Sequence, residues 1–314
     1  MLLIGGENLI DLVSSDFTAN GLPTYIANPG GSPFNVAIAA GRQGQKVSYL
    51  TPISKDSLGK LLEKRLIESG VKIAAPRVVQ PTSLAVVSLS NGIPSYSFHR
   101  SNTAERQITI AMLESYTPKD SKVFHVGSLG LIEGEDADIW EEYFRRSSKR
   151  GLLTALDPNV RPALINDRKS YLERICRMMS YTDILKLSDE DLTWLYPDRP
   201  LSKAILDCRT DCNAVLLILT LGDQGSRGFV GNLEIKIPAK TVTNLADTVG
   251  AGDTFMAIIL VWLMEMGYTS RQKLSLLNEP SLRKVMSLAT VAAAINCERI
   301  GCNPPLRKEL GKVN

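Results

Sequence analysis

A chain of 314 residues can hold one large α/β domain with a small appendage, or two modest domains. With 44% hydrophobic and 22% charged residues it has the make-up of an ordinary globular protein, and a formal charge of +3 argues against nucleic-acid binding. Two histidines, His99 and His125, and five cysteines without a CxxC pair argue against multi-histidine metal sites, zinc and a disulfide framework, and favour free thiols in a reducing cytoplasm.

The opening Met1-Leu2-Leu3-Ile4-Gly5-Gly6-Glu7 has neither a basic leader nor a long apolar core, so no signal peptide is expected. Leu2–Ile4 reads as a first strand, and Asp11 follows just beyond it, where the simplest reading is an exposed turn carboxylate. Segment 12–30 is polar and turn-rich. Next, Asn28-Pro29-Gly30-Gly31-Ser32-Pro33-Phe34-Asn35-Val36-Ala37 leads into a small-residue helix ending near Gly41, with Ser32 as N-cap and Pro33 as first helical residue. This reads simply as a capped helix after a glycine turn. Equally, Gly30-Gly31 lets backbone approach a ligand, and Asn35 offers a donor and an acceptor suited to sugar hydroxyls.

Strands are predicted at Val47–Leu50, Val123–Val126, Leu152–Ala155, Ile184–Leu187 and Val215–Thr220, with helices at Ser57–Glu68, Ala137–Lys149, Lys169–Ser180 and Leu201–Cys208. Apolar strands alternating with helices predict a mostly parallel sheet covered on both faces. Segment 83–100 breaks the rhythm: two strands joined by Asn91-Gly92 predict a hairpin, read as a small antiparallel lid. Neither a repeat nor a linker divides the chain, so 1–314 is expected to be one domain with lid strands from about 12–30 and 83–100.

Near the C-terminus, Asn244-Leu245-Ala246-Asp247-Thr248-Val249-Gly250-Ala251-Gly252-Asp253-Thr254-Phe255 leads into a buried helix, Phe255–Met266. Its longest apolar run, Phe255–Met264, is too short for a membrane span. Small residues at a helix start expose unpaired N–H groups and the positive end of the macrodipole, where a phosphate fits. On the residues alone, Asp253 is either a first-turn carboxylate favoured by the dipole or a base for an attacking hydroxyl. The loop is neither a Walker P-loop nor a dinucleotide fingerprint.

The run Asp247–Phe255 closely resembles the C-terminal signature of the ribokinase-like (PfkB) carbohydrate kinases, and Gly30-Gly31 with Asn35 resembles their N-terminal signature. The resemblance implies a ribokinase-like three-layer α/β/α sandwich with a β lid, ATP and Mg2+ as cofactors, and transfer of the γ-phosphoryl group to a sugar hydroxyl. It assigns Asp253 as base, Gly250, Ala251 and Gly252 as anion hole, and Asp11, Gly30, Gly31 and Asn35 to the sugar.

Gly6-Glu7-Asn8-Leu9-Ile10-Asp11 is similar to the opening of bacterial fructokinases and ketodeoxygluconate kinases. Tyr96 to Arg100 resembles the fructokinase lid, where an aromatic and the Arg close over the sugar. Asp157-Pro158-Asn159-Val160-Arg161 fits a family segment whose Arg, here Arg161, faces sugar or phosphate, a structural salt bridge being the other reading. Lys186-Leu187-Ser188-Asp189-Glu190-Asp191 resembles a fructokinase segment on the nucleotide side: Lys186 and Ser188 are assigned there, and Glu190 and Asp191 to Mg2+ through water. Ser188 capping an acidic helix start accounts for the same residues. By the same resemblance Thr220, Gly222 and Gly225 line the ATP site and Asn296 contacts adenine. Asp247, with the backbone near Val249 and Gly301, marks a potassium site. The expectation is thus a cytoplasmic fructokinase, possible as a lid-mediated homodimer. Ketodeoxygluconate kinase or another PfkB sugar or nucleoside kinase is the near alternative, and a non-catalytic sugar-binding protein the distant one.

Overall fold

The computed structural model describes residues 1–90 and 93–311, and the side chains of these except at 16, 17, 88–90 and 93–96. A nine-stranded sheet runs in the order Leu233–Ile237, Ser226–Val230, Leu216–Thr220, Ile184–Ser188, Leu153–Asp157, Val123–Gly127, Leu2–Ile4, Val47–Tyr49, Lys72–Ile73. Only Ser226–Val230 runs against the other strands, so the two pairings at that edge are antiparallel and the rest parallel.

Alternation along each strand divides the interior into two cores, because successive side chains leave opposite faces. Leu2, Ile4, Val123, Leu153, Ala155 and Ile218 face one core, while Leu3, Phe124, Val126, Leu156, Leu187 and Leu219 face the other. Trp140, Tyr143 and Phe144 of helix Glu135–Lys149 fill the second core around Phe124. The first core is closed by helices Ser32–Arg42, Ala251–Glu265 and Glu279–Cys297.

Helix Ala251–Glu265 is apolar around its whole circumference, as a helix packed on all sides must be, and Thr254 through Val261 are buried. It packs against helix Glu279–Cys297 and helix Ser32–Arg42. Ala37, Ala39 and Ala40 are short enough to let the Ser32–Arg42 helix come close. That close packing sets the N-terminal turns of two distant segments side by side.

A second, four-stranded sheet forms the lid, in the order Pro23–Gly30, Leu9–Phe17, Ser83–Ser90, Ile93–His99. Asn91-Gly92, the predicted turn, lies outside the described residues. Two sequence expectations change here. The first lid strand starts at Leu9 rather than near 12, so Asp11 is not a turn residue but a strand residue opposite Asn28. Gly31, at φ 108°, is the N-cap of the Ser32–Arg42 helix, and Ser32 is already helical, with its hydroxyl free for other use. Among the described residues no helix is long and apolar enough to cross a membrane, and all five cysteines are free thiols.

Candidate active site

The carboxyl ends of the parallel strands deliver Gly127, Asp157, Ser188 and Thr220 to one edge of the sheet, with Gly127 opposite Asp157 and Ser188 opposite Thr220. In open α/β sheets this is the edge where ligands bind. The Ala251–Glu265 helix begins at Gly250, whose φ of 76° lies in the left-handed region. A Cβ at that position would overlap Cys302 Sγ, so glycine is required twice over.

Three N–H groups at this helix start, those of Gly250, Gly252 and Asp253, have no acceptor among the described residues. The Ala251 N–H, one of the three expected in the anion hole, instead donates to Thr248 O at 3.2 Å. Unpaired amides at the positive end of a helix form an anion cradle.

Asp253 is buried beside this cradle. Its Oδ1 accepts from Ser32 Oγ at 2.6 Å and its Oδ2 from Asn35 Nδ2 at 2.8 Å. Burial pushes its pKa up, and the Ser32 and Asn35 hydrogen bonds, with the charges of Lys186 and Arg161, work against that rise. Asn35 Oδ1 is buried and has no hydrogen-bond partner among the described residues.

On the lid side, Asp11 lies along Gly30, where any Cβ would overlap its Oδ2. A Cβ on Gly31 would sit 2.8 Å from Glu7 O. Burial and the Asp247 charge raise Asp11 to about 6, with Arg161 opposing. Arg161 is exposed and held only locally, its Nη1 donating to Asn159 Oδ1 at 2.6 Å. Among the described residues it forms no salt bridge, and its charge reaches both Asp11 and Asp253.

Several other expected site residues are already engaged within the fold. Arg100 Nε and Nη2 donate to Glu105 at 2.9 and 3.2 Å, and Nη1 donates to Leu129 O at 3.0 Å, which holds its guanidinium at the lid's root. Asn296 is fully buried, donating to Val249 O at 2.8 Å and accepting from Asn303 N at 2.9 Å. It braces the loop before Gly250.

Asp191 accepts from Val160 N and Ser188 N, while Ser188 Oγ accepts from Asp191 N, so both residues form a capping box. Lys186 is buried and ion-paired with Asp157 at 2.9 Å instead of reaching toward solvent. Asp247 ties two loops together, Oδ1 accepting from Val249 N and Oδ2 from Gly301 N.

The Thr220–Gly225 turn closes through Leu221 N to Gly225 O, with Gly222 at φ 55° and Gly225 at φ 91°. Tyr96 lies on lid strand Ile93–His99, and its side chain is outside the described residues.

Sequence reasoning gave no role to Glu7. Buried at the foot of the lid, it accepts from Ser32 N at 2.8 Å and Gly130 N at 3.3 Å. Burial raises its carboxyl to about 7, with Arg100 and the backbone donors opposing. Its signal is a single acid directly after the apolar, glycine-rich run Leu2–Gly6.

This pairing of a glycine-lined helix start carrying Asp253 with a facing Ser32–Asn35 turn is spanned by a match to the pfkB family carbohydrate kinases over residues 9–309. The chain belongs to that family. It is 35% identical to a fructokinase of Rhizobium leguminosarum bv. trifolii over 90% of its length and 86% of the relative's. A probable fructokinase-4 of Arabidopsis thaliana is 29% identical, with 97% and 93% covered. The structure superposes on a Xylella fastidiosa fructokinase with bound ATP at a TM-score of 0.89 and 25% identity, covering 98% and 97% of the chains. The fold is the ribokinase-like sandwich, and the protein is a carbohydrate kinase.

Proposed function

We propose that this kinase transfers the γ-phosphoryl group of ATP to fructose, forming fructose 6-phosphate. The observation that carries the chemistry is Asp253: one carboxylate lies between an anion cradle and the Ser32–Asn35 turn. Phosphoryl transfer needs mainly alignment and charge neutralisation. The incoming hydroxyl replaces the Ser32 or Asn35 donor on Asp253, which takes its proton. The Gly250, Gly252 and Asp253 N–H groups hold the transferred phosphoryl, while Asp11 and the Asn35 amide meet other sugar hydroxyls.

Fructose is favoured over ketodeoxygluconate by the cations. A carboxylate-bearing sugar calls for paired guanidiniums, and of the two expected there Arg100 is committed to Glu105 and Leu129, while Arg161 is held only by its own loop. The fructokinase relatives point the same way.

The Thr220–Gly225 turn is the side we assign to ATP. Mg2+ keeps most of its ligands as water and phosphate oxygen, and the chain fits that mode: exposed Glu190 can meet a metal-bound water, whereas Asp191 already serves two N–H donors. Bound there, the ion neutralises phosphate charge. A potassium ion at the crossing of the Asp247 and Gly301 loops has Asp247 as its anionic neighbour, and a K+ response lost in Asp247→Asn tests this.

Leu22, Tyr25 and Ile26 leave an apolar stretch exposed on the outer lid strand and the turn before it, and support a homodimer through the lid, checked by light scattering. The free thiols accord with a reducing compartment such as the cytoplasm. The decisive experiment is ADP release with Mg–ATP across fructose, ketodeoxygluconate, ribose and adenosine. Fructose giving the highest kcat/KM is the expected result, and a higher value for ketodeoxygluconate overturns the assignment.

A further inference from the structure

Beneath the cradle sits a cation that no step above uses. Lys186, near the end of strand Ile184–Ser188, is buried, and its Nζ donates to Asp157 Oδ2 at 2.9 Å. A Cβ placed on Gly252 would lie 3.1 Å from that Nζ, so the ammonium abuts the backbone of the cradle itself. Asp157 is likewise buried, and its Oδ1 has no partner. A buried ion pair is costly to desolvate and is often replaceable by apolar residues, so its presence under a helix start needs a reason.

We propose that Lys186 is a positioning charge of the phosphoryl-transfer site, acting from below through Gly252 and Asp253 to keep the base ionised and to add positive potential to the cradle, without touching either substrate. This rests on the kinase reading above. A carboxylate that must accept a proton beside a phosphate anion faces two effects that favour its neutral form: burial and like-charge repulsion. Lys186 opposes both from a position water cannot screen.

The other groups around Asp253 cannot replace it. Ser32 and Asn35, from the facing helix, supply neutral dipoles. Arg161, from the loop after Asp157, is exposed and screened by solvent. Cys302, from the C-terminal loop, is a buried thiol pushed well above its ordinary range, and so neutral. His125, on the strand next to Asp157, is held neutral by burial, at about 3. Asp191 adds a further negative charge near Lys186, and with Asp157 and Asp253 keeps the lysine protonated against its own burial.

The test compares Lys186→Gln, Asp157→Asn and the double variant, which removes both charges together and so guards against misfolding from an unpaired buried acid. Asp253 is titrated by 13C NMR on aspartate-labelled protein, its resonance identified by its loss in Asp253→Asn. The midpoint is expected to rise by about one pH unit in Lys186→Gln, to fall in Asp157→Asn, and to rise by less in the double variant, where the two effects oppose each other.

The acid limb of kcat with Mg–ATP and fructose should move in the same directions. In the double variant kcat at neutral pH should fall about tenfold, with KM for fructose little changed. Fructose turnover with an unmoved Asp253 midpoint in all three variants overturns the role of Lys186 alone. Absence of turnover on every sugar by the wild type overturns the kinase reading, and this proposal with it.

Discussion

Asn35 Nδ2 donates to Asp253 Oδ2 at 2.8 Å across 218 residues of chain, and Ser32 Oγ donates to the other oxygen at 2.6 Å. Neither bond exists without the close packing of helices Ser32–Arg42 and Ala251–Glu265, so the site is a product of the core. Hydrogen bonds to a charged group contribute about 1.5–3 kcal/mol. Asn35→Leu should therefore lower kcat/KM for the sugar by about ten- to hundredfold while circular dichroism stays unchanged. Ser32→Ala removes a donor that favours the carboxylate form, so the acid limb of its pH–rate profile should move to higher pH.

Arg100 and Arg161 should separate cleanly. Arg100→Met leaves Glu105, 1% exposed, without its partner. Breaking such a pair costs about 3–5 kcal/mol, read as a shift in the urea midpoint and recovered in Arg100→Met/Glu105→Gln. Arg161→Met touches only exposed local bonds and should change stability by less than about 0.5 kcal/mol, while lowering kcat/KM.

Glu7 gives a pH-dependent stability. Its folded pKa of about 7 lies above its ordinary 4.5, so the native state binds the proton more tightly than the unfolded chain. That contribution is fully present below the ordinary value and is lost as pH rises through 7. Relative to Glu7→Gln, the wild type should lose a few kcal/mol between pH 4.5 and pH 8, as followed by guanidinium denaturation.

Gly250→Ala places a side chain in a left-handed conformation and against Cys302. A cost of about 1–3 kcal/mol from the backbone is expected, with activity falling further because the cradle's amides are re-aimed. Cys302→Ala in the same chain should recover part of the stability and little of the activity.

The layered sheet is legible because its strands carry apolar runs that only a doubly covered sheet can bury: Ile184–Leu187 and Val215–Thr220 appear within one residue of their observed bounds, and helix Ser57–Glu68 matches. Asp253 and its glycines are legible because the chemistry of a phosphate cradle demands small residues at a helix start. What a local pattern does not carry is whether a polar side chain is spent inside the fold. Arg100 and Asn296 look like ligand contacts in sequence, but their partners, Glu105 and Leu129 for one and Val249 and Asn303 for the other, are fixed only by tertiary packing. Ser32 is the converse: it has the composition of a cap, yet the glycine before it takes that position and frees the hydroxyl for Asp253. Glu7 is invisible for the same reason, since its two N–H donors come from Ser32 and Gly130.

The most direct test of Asp253 as the base is single-turnover ADP formation with Mg–ATP and fructose in wild type and Asp253→Asn, with ATP binding measured by calorimetry in both. The amide keeps the shape and the Ser32 contact but cannot accept a proton, so the rate should fall by about 10²–10⁴ with ATP affinity retained. An unchanged rate in a folded, ATP-binding Asp253→Asn protein would contradict the account.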